Sequence, residues 1–420
     1  MIERVSLFTE KRDFLLFSLI SLCVFLLSIF IEYKNYQEFT RFDSVLVETT
    51  VLRQYTKTKK KRTYQVLKLK SEDGVIFYTT AKKTLEDVRD KKLKLEIWPK
   101  ELNFYGYLSS FYAYNKILSI EDINGTKQSL NAFISSSHEN KNIANIYQAL
   151  YTAENVDQNT QNAFSNLGVS HIVAISGFHL GILSTLLYFL LKPMYAFAQD
   201  RFFPYRNSKV DIFIIVAAVL FTYMLFLDSP PSLVRSFGMF VVGFILYDRG
   251  LEIFSMQTLL ITILLLLAFF PRLYFSLGFW LSAGGVFYIF LFLIHFKNLN
   301  LFLQMLGISV LVYLYMLPVA LYIFQNFSIY HPFSILLSIL FTPFYPLSIL
   351  LHITGFGDFF DTFLAWLMML GENGAKVNLN FYLFVIHVTL SFAAIWNRAA
   401  MWALTLFSSS IFIYAMYQVA

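Results

Sequence analysis

Two histidines and a serine inside an otherwise apolar stretch are the residues of this chain best placed to do chemistry. They lie in Ser170-His171-Ile172-Val173-Ala174-Ile175-Ser176-Gly177-Phe178-His179-Leu180-Gly181. Polar groups at membrane depth are costly and face a bundle interior or a wet cavity. Ser176 and His179 are three residues apart, which would place them on one helix face. Such a pair could serve an intramembrane serine hydrolase, line an aqueous path, or simply bind helices together through carbonyl hydrogen bonds. The hydrolase reading also needs attack geometry and an oxyanion hole, and no motif for the latter is evident. Gly177 and Gly181 form a G-x-x-x-G pair, which lets a neighbouring backbone approach closely.

Further polar residues punctuate the apolar sequence. In Asp228-Ser229-Pro230-Pro231-Ser232-Leu233-Val234-Arg235-Ser236, Asp228 or Ser229 is expected to cap a helix opening at the prolines. Arg235 then falls about one turn inside, either snorkelling to headgroups or placing its guanidinium at a pore mouth. Gly278, Ser282, Gly284 and Gly285 are small residues in one span, as close helix packing requires. Ser334, Ser338 and Thr342 form a row ahead of Pro343 and Pro346, a polar stripe with an expected break that suits a kinked packing helix or a watery path. The run Lys57-Thr58-Lys59-Lys60-Lys61-Arg62, flanked by Tyr55 and Tyr64, reads as a solvated basic loop or as a cationic groove with rings for stacking bases.

The elements that must position these residues are mostly apolar helices. Of 420 residues 57% are hydrophobic and 14% charged, against about 25% charged in soluble domains. Apolar runs long enough for about 30 Å of hydrocarbon recur through the second half, and with the first run, Phe14–Ile31, they suggest about ten spans. Those expected are Gly168–Leu191, Val210–Leu227, Ser232–Tyr247, Met256–Phe270, Phe275–Phe296, Leu299–Phe324, Pro332–Leu351, Leu379–Trp396 and Met401–Val419, with Asp358–Leu370 as an interfacial helix. The first run lacks a small-residue cleavage site and reads as an uncleaved anchor over 1–33. Cys23 is the only cysteine, so intramolecular disulfides and cysteine zinc sites are excluded.

Residues 34–120 differ in kind. Lys92-Leu93-Lys94-Leu95-Glu96-Ile97 alternates strictly, as a half-buried strand does. Similar runs at Ser44–Leu52, Thr63–Leu69 and Val75–Thr80 suggest a small barrel, with the OB-fold leading. A polar linker over 121–166 holds a helix around Ile143–Glu154, and 167–420 forms the helical domain. Lys192, Arg201, Arg206, Lys209, Arg249 and Lys297 mark loops that the positive-inside rule assigns to the cytoplasm, which places the N-terminus inside and the β region outside.

Together these stretches resemble the ComEC-type competence family. The family signature, approximately H-l-l-a-I-S-G-l-H-v-g, is matched by His171–Gly181. Its p-S-x-x-R-a stretch is similar to Pro231–Ser236, with Ser236 where alanine is common. Its P-x-x-l-x-x-x-g-F-x-L-S stretch is similar to Pro271-Arg272-Leu273-Tyr274-Phe275-Ser276-Leu277-Gly278-Phe279-Trp280-Leu281-Ser282. The resemblance implies a polytopic inner-membrane channel with an OB-like extracytoplasmic domain that internalises single-stranded DNA during natural transformation. His171, Ser176, Gly177, His179, Gly181, Ser232, Arg235, Gly278 and Ser282 would then be its channel residues, and Tyr55, Lys57, Lys59, Lys60, Lys61, Arg62 and Tyr64 its DNA contacts. Single-stranded DNA, the bilayer, a periplasmic DNA receptor and cytoplasmic processing or motor proteins are the implied partners. No cofactor, metal or P-loop is expected. Many relatives continue into a metallo-β-lactamase-like domain, whose H-x-H-x-D-H cluster does not occur here, so no nuclease is expected in this chain. The competing classes are a secondary transporter of anions or lipids, the serine hydrolase, and a scaffold that anchors a DNA-binding domain.

Overall fold

A computed structural model describes residues 10–59, 62–88, 91–99, 101–121, 125–250 and 253–419. The chain divides into two compact units.

The smaller unit holds Phe8–Phe133 together with Leu264–Leu277. It begins with helix α1 (Lys11–Phe39), followed by strands β1 (Val45–Lys59), β2 (Arg62–Ser71), β3 (Ile76–Ala81) and β4 (Lys92–Trp98). A short helix α2 (Phe104–Leu108) precedes β5 (Phe111–Tyr112) and β6 (Tyr114–Glu121). The sheet order is β5-β3-β2-β1-β4-β6, antiparallel except for β3 with β5. Its two end strands are separated in sequence by Ala113 alone, whose N–H donates to the Tyr78 carbonyl at 2.9 Å. The circuit β1-β2-β3-β5/β6-β4 is consistent with an OB-like domain. Alternation works as expected in β4, where Leu93, Leu95 and Ile97 are fully buried beside Val51, Leu67, Leu69 and Phe77. Burying each such side chain contributes about 1.5–3 kcal/mol.

The basic run is not a loop. β1 and β2 form a long hairpin in which Lys57 pairs with Tyr64 and Lys59 with Arg62. Only Lys60 and Lys61 lie between the strands, and both fall outside the described residues. The period-two apolar signal ends where the hairpin leaves the core, although backbone pairing continues.

The larger unit comprises Ile134–Ile263 and the chain from Gly278 onward. Its helices begin with α3 (Thr126–Ser136), which starts in the smaller unit, then α4 (Lys141–Thr152), α5 (Gln158–Asn166), α6 (Ser170–Val173), α7 (Gly177–Phe202), α8 (Ser208–Phe226), α9 (Pro231–Asp248) and α10 (Met256–Phe269), which ends in the smaller one. After a 3-10 turn at Pro271–Phe275 come α11 (Leu277–Phe296), α12 (Leu301–Phe324), α13 (Phe333–Thr354), α14 (Asp361–Glu372), α15 (Phe381–Ala393) and α16 (Arg398–Val419). Among the described residues seven helices are long and apolar enough to cross a membrane: α1, α7, α8, α11, α12, α13 and α16. This is a multi-pass membrane protein. Of the ten expected spans, α9, α10 and α15 fall outside this set; α10 and α15, at 14 and 13 residues, rise only about 20 Å, whereas α9 has 18 residues and carries Arg235 and Asp248. The expected break at Pro343 and Pro346 does not occur; α13 runs through both.

Candidate functional site

The stretch expected as one span, Gly168–Leu191, is two helices. α6 stops at Val173 and α7 starts at Gly177. Ser176 is the N-cap of α7: its Oγ accepts from the Phe178 N–H at 3.3 Å, and its own N–H donates to His179 Nδ1 at 3.2 Å. This is a capping box in which histidine takes the place usually held by Glu or Gln. Because Nδ1 accepts, the ring proton sits on Nε2, which is buried without a hydrogen-bond partner among the described residues. The ring lies edge-on to Phe341 and Tyr345, with centroids 4.9 and 4.8 Å away, an arrangement in which an N–H can rest on a π face. Ser176 and His179 therefore meet through a helix cap and not along one continuous helix face. Ser176 Oγ is 3.3 Å from His179 Nδ1, but that nitrogen already serves the Ser176 N–H. With no acceptor on Nε2, the hydrolase reading lacks its orienting group among the described residues.

α9 closes over this break. α8 ends in a Schellman turn: the Asp228 N–H donates to Leu225 O and the Ser229 N–H to Met224 O, both at 3.0 Å. Asp228 and Ser229 both sit at positive φ, 60° and 51°, so neither caps α9, whose N-cap is Pro230. Ser232 Oγ donates to the Ile175 carbonyl at 2.8 Å, satisfying an acceptor that the helix break exposes. One turn on, Ser236 Oγ donates to the Ser232 carbonyl at 2.7 Å. A Cβ on Gly177 would stand 2.5 Å from Ser236 Oγ, so the close approach of α7 to α9 at this point requires that residue 177 have no side chain. Gly181 has open space where its Cβ would be, so half of the expected G-x-x-x-G contact is absent.

Arg235 reaches from α9 to the start of α11. Its Nη1 donates to the Gly278 carbonyl at 3.0 Å and lies 3.5 Å from the Phe279 carbonyl. The residue is 2% exposed, so it neither snorkels nor stands at an open mouth. Its Nε has no partner, and no carboxylate pairs with it among the described residues. His171 is exposed, with Nε2 3.4 Å from Ser338 Oγ on α13. Ser282 lies on α11 without a hydrogen bond into this cluster among the described residues. Two neighbours escape a reading by spacing: His331, whose ring fills the place of a Cβ on Gly168 (φ +72°), and Tyr313, 3.0 Å from His331 Nδ1.

The competence protein family model matches residues 151–420. That is more than half of the chain and includes every contact just described. The chain belongs to the competence protein family. Among curated relatives, ComE operon protein 3 of Bacillus subtilis (strain 168) is 28% identical over 262 residues, which is 58% of this chain and 31% of that protein. An uncharacterized protein of Aquifex aeolicus (strain VF5) is 27% identical over 148 residues, 35% of this chain and 32% of the relative. The matched stretches thus span about a third of each relative. No solved structure matches the chain. Within the family's region, the three stretches read separately from sequence converge: Ser232 holds Ile175, Ser236 abuts Gly177, and Arg235 holds Gly278.

The β unit, outside the family model's match, carries the basic residues. Register places Arg53, Tyr55 and Lys57 on one face of β1, opposite Lys68, Val66 and Tyr64 of β2. The backbone register continues to Lys59 and Arg62. On the far side Lys68 pairs with Tyr78 of β3, and Tyr78 with Tyr112 of β5. One rung thus reads Arg53, Lys68, Tyr78, Tyr112, with Lys68 over the Tyr78 ring at 5.9 Å and Arg53 over Tyr55 at 5.9 Å. Burial, then the neighbouring Arg53, lowers the Lys68 pKa. Towards β4, Lys94 pairs with Glu48 and Lys92 with Glu72. Arg53, Lys68, Tyr78 and Tyr112 were invisible to a search for basic runs because they are neighbours across strands.

Proposed function

We propose that this chain conducts single-stranded DNA across a bacterial inner membrane during competence, with the β unit outside gathering the strand and the helical unit passing it. The observation that carries the reading is the rung of cations and rings on the β1-β2-β3-β5 face. Like charges directly opposite each other on a sheet are destabilising, so Arg53 against Lys68 costs stability that a polyanion would return. Alternating cations and aromatics suit a ligand with a phosphate per nucleotide and a stackable base, whatever its sequence.

Membership of the competence family, and a relative named for a ComE operon, support DNA uptake as the process. Arg235 supports passage through the helices: a buried guanidinium without a carboxylate among the described residues favours an arriving phosphate. In this state the cluster is closed, since His179 is fully buried and Arg235 nearly so. Passage therefore requires α7 and α9 to part, transferring Ser176, Ser232 and Arg235 from backbone contacts to the strand. The basic loops after α7, α9 and α11 support a cytoplasmic N-terminus. A driving force would come from partner proteins or from capture of the strand inside the cell.

The test uses cells lacking this chain, which should bind labelled DNA at the surface but internalise none. Restoring the gene should restore uptake. Replacing Arg53, Lys57 and Lys68 by alanine should flatten the salt dependence of single-strand binding by the full chain in lipid discs. The log–log slope should fall by about 0.7 for each phosphate that is no longer neutralised. An unchanged slope refutes the assignment of this face.

A further inference from the structure

A second polar cluster lies apart from the family stretches. His138 follows α3, His352 is in the last turn of α13, and Asp361 opens α14. His138 Nδ1 is 2.9 and 3.0 Å from the two Asp361 carboxylate oxygens, and its Nε2 is 3.0 Å from Nε2 of His352. His352 Nδ1 is 2.7 Å from the Ser348 carbonyl. Tyr151 donates its hydroxyl to Ser348 Oγ at 2.8 Å, which in turn donates to the Tyr345 carbonyl, so the Tyr151 proton is not available to His352. His138 stacks on Tyr147 at 4.6 Å with 6° between planes, and a Cβ on Gly357 would press on His352 at 3.0 Å. The His138 side chain is wholly buried and that of Asp361 is 20% exposed.

Counting protons shows what this chain of contacts requires. A carbonyl cannot donate, so His352 Nδ1 carries a proton. The two Nε2 atoms at 3.0 Å would set lone pair against lone pair unless a second proton lies between them. The contact of His138 with Asp361 holds a third, whichever partner owns it. A carboxylate with two neutral imidazoles brings only two protons. The arrangement therefore holds one more. A metal ion would serve less well: nitrogens bound tetrahedrally at about 2.0–2.1 Å stand roughly 3.3 Å apart. Moreover, no group of three His, Cys, Asp or Glu suited to a metal occurs among the described residues.

We propose that Asp361, His138 and His352 form a single-proton site that latches α14 and the α3–α4 turn to the C-terminal end of α13. The proton enters and leaves through Asp361, the most exposed side chain of the three. The other titratable groups around it are Asp358 beside α14, Tyr147 and Tyr151 of α4, and the exposed Glu139 next to His138 in sequence. Burial pushes both tyrosines well above the ordinary phenol range, so they stay neutral while the latch titrates. Above the ordinary histidine range, where released imidazoles are neutral, the docked state binds one proton more than the released state, so raising the pH there favours release. The latch would thus tie the position of the amphipathic helix α14 to the pH of the water at Asp361.

Backbone hydrogen exchange on the full chain in lipid discs tests this. Protection of residues 361–372, corrected for intrinsic exchange, should fall by up to about tenfold per pH unit as the site empties. In His352→Gln the amide can donate to His138 Nε2 at any pH, so the slope should vanish while docking persists. Asp358→Asn should keep the wild-type slope. Flat protection in the wild type overturns the proposal, as does an unchanged slope in His352→Gln or a vanished slope in Asp358→Asn. Protection restored at high pH by added zinc would also overturn it, because the cation held there would then be a metal.

Discussion

The two units treat polar residues in opposite ways. On the β sheet, cations are set beside one another and beside half-buried rings, and Arg53 faces Lys68 directly. In the helical unit four signature residues are turned onto backbone: Ser176 and His179 onto the start of α7, Ser232 onto Ile175, Arg235 onto Gly278. Water can solvate a cationic sheet face awaiting its ligand, whereas a membrane domain must satisfy its polar groups internally until the ligand arrives. On the proposed function the first region sacrifices stability for binding. The second uses the same groups to hold a closed state. Substitutions should therefore separate stability from function in one unit and couple them in the other.

The largest effect is expected at Gly177. Gly177→Val places its Cβ 2.5 Å from Ser236 Oγ and should cost about 1–3 kcal/mol or more, read as a lowered unfolding temperature and abolished uptake. Adding Ser236→Gly to Gly177→Ala should recover most of the stability that the single variant forfeits. No recovery would mean that the α7–α9 contact is not what glycine protects. Ser232→Ala removes the bond to Ile175 and should lower stability by about 1 kcal/mol, with α6 exchanging hydrogen faster than α8. Lys68→Ala should do the reverse, stabilising the sheet by about 0.2–1 kcal/mol while weakening single-strand binding. If Lys68→Ala destabilised the sheet, or bound DNA as well as the wild type, the contrast between the two regions would fail. The smallest effect is expected at Gly181, where Gly181→Ala meets open space and should leave both stability and uptake nearly unchanged.

What could be read from sequence follows from how local each signal is. The alternation of Lys92–Ile97 and the helix near Ile143 are local patterns, and the structure shows β4 and α4 there. The break before Gly177 was hidden because Ile172–Ile175 is apolar on both sides of it, and histidine is an unfamiliar partner in a capping box. The burial of Arg235 depends on Gly278, 43 positions away, and no spacing rule joins the two. His138 and Asp361 are 223 positions apart and share a contact that only the fold creates. The basic run was legible as basic, but its extension across β2, β3 and β5 needed the register.

The claim that the helical unit conducts a polyanion rests most directly on Arg235. Its replacement by methionine keeps the apolar volume but removes the buried charge and its bond to the Gly278 carbonyl, at a cost of about 1.5–3 kcal/mol, so uptake is compared at equal levels of protein in the membrane. In cells carrying Arg235→Met as the sole copy, surface-bound DNA should equal wild type while internalised DNA falls by at least about tenfold, the 1.4 kcal/mol that one charge-assisted phosphate contact can supply. Normal internalisation by a variant present at normal levels in the membrane would contradict the account.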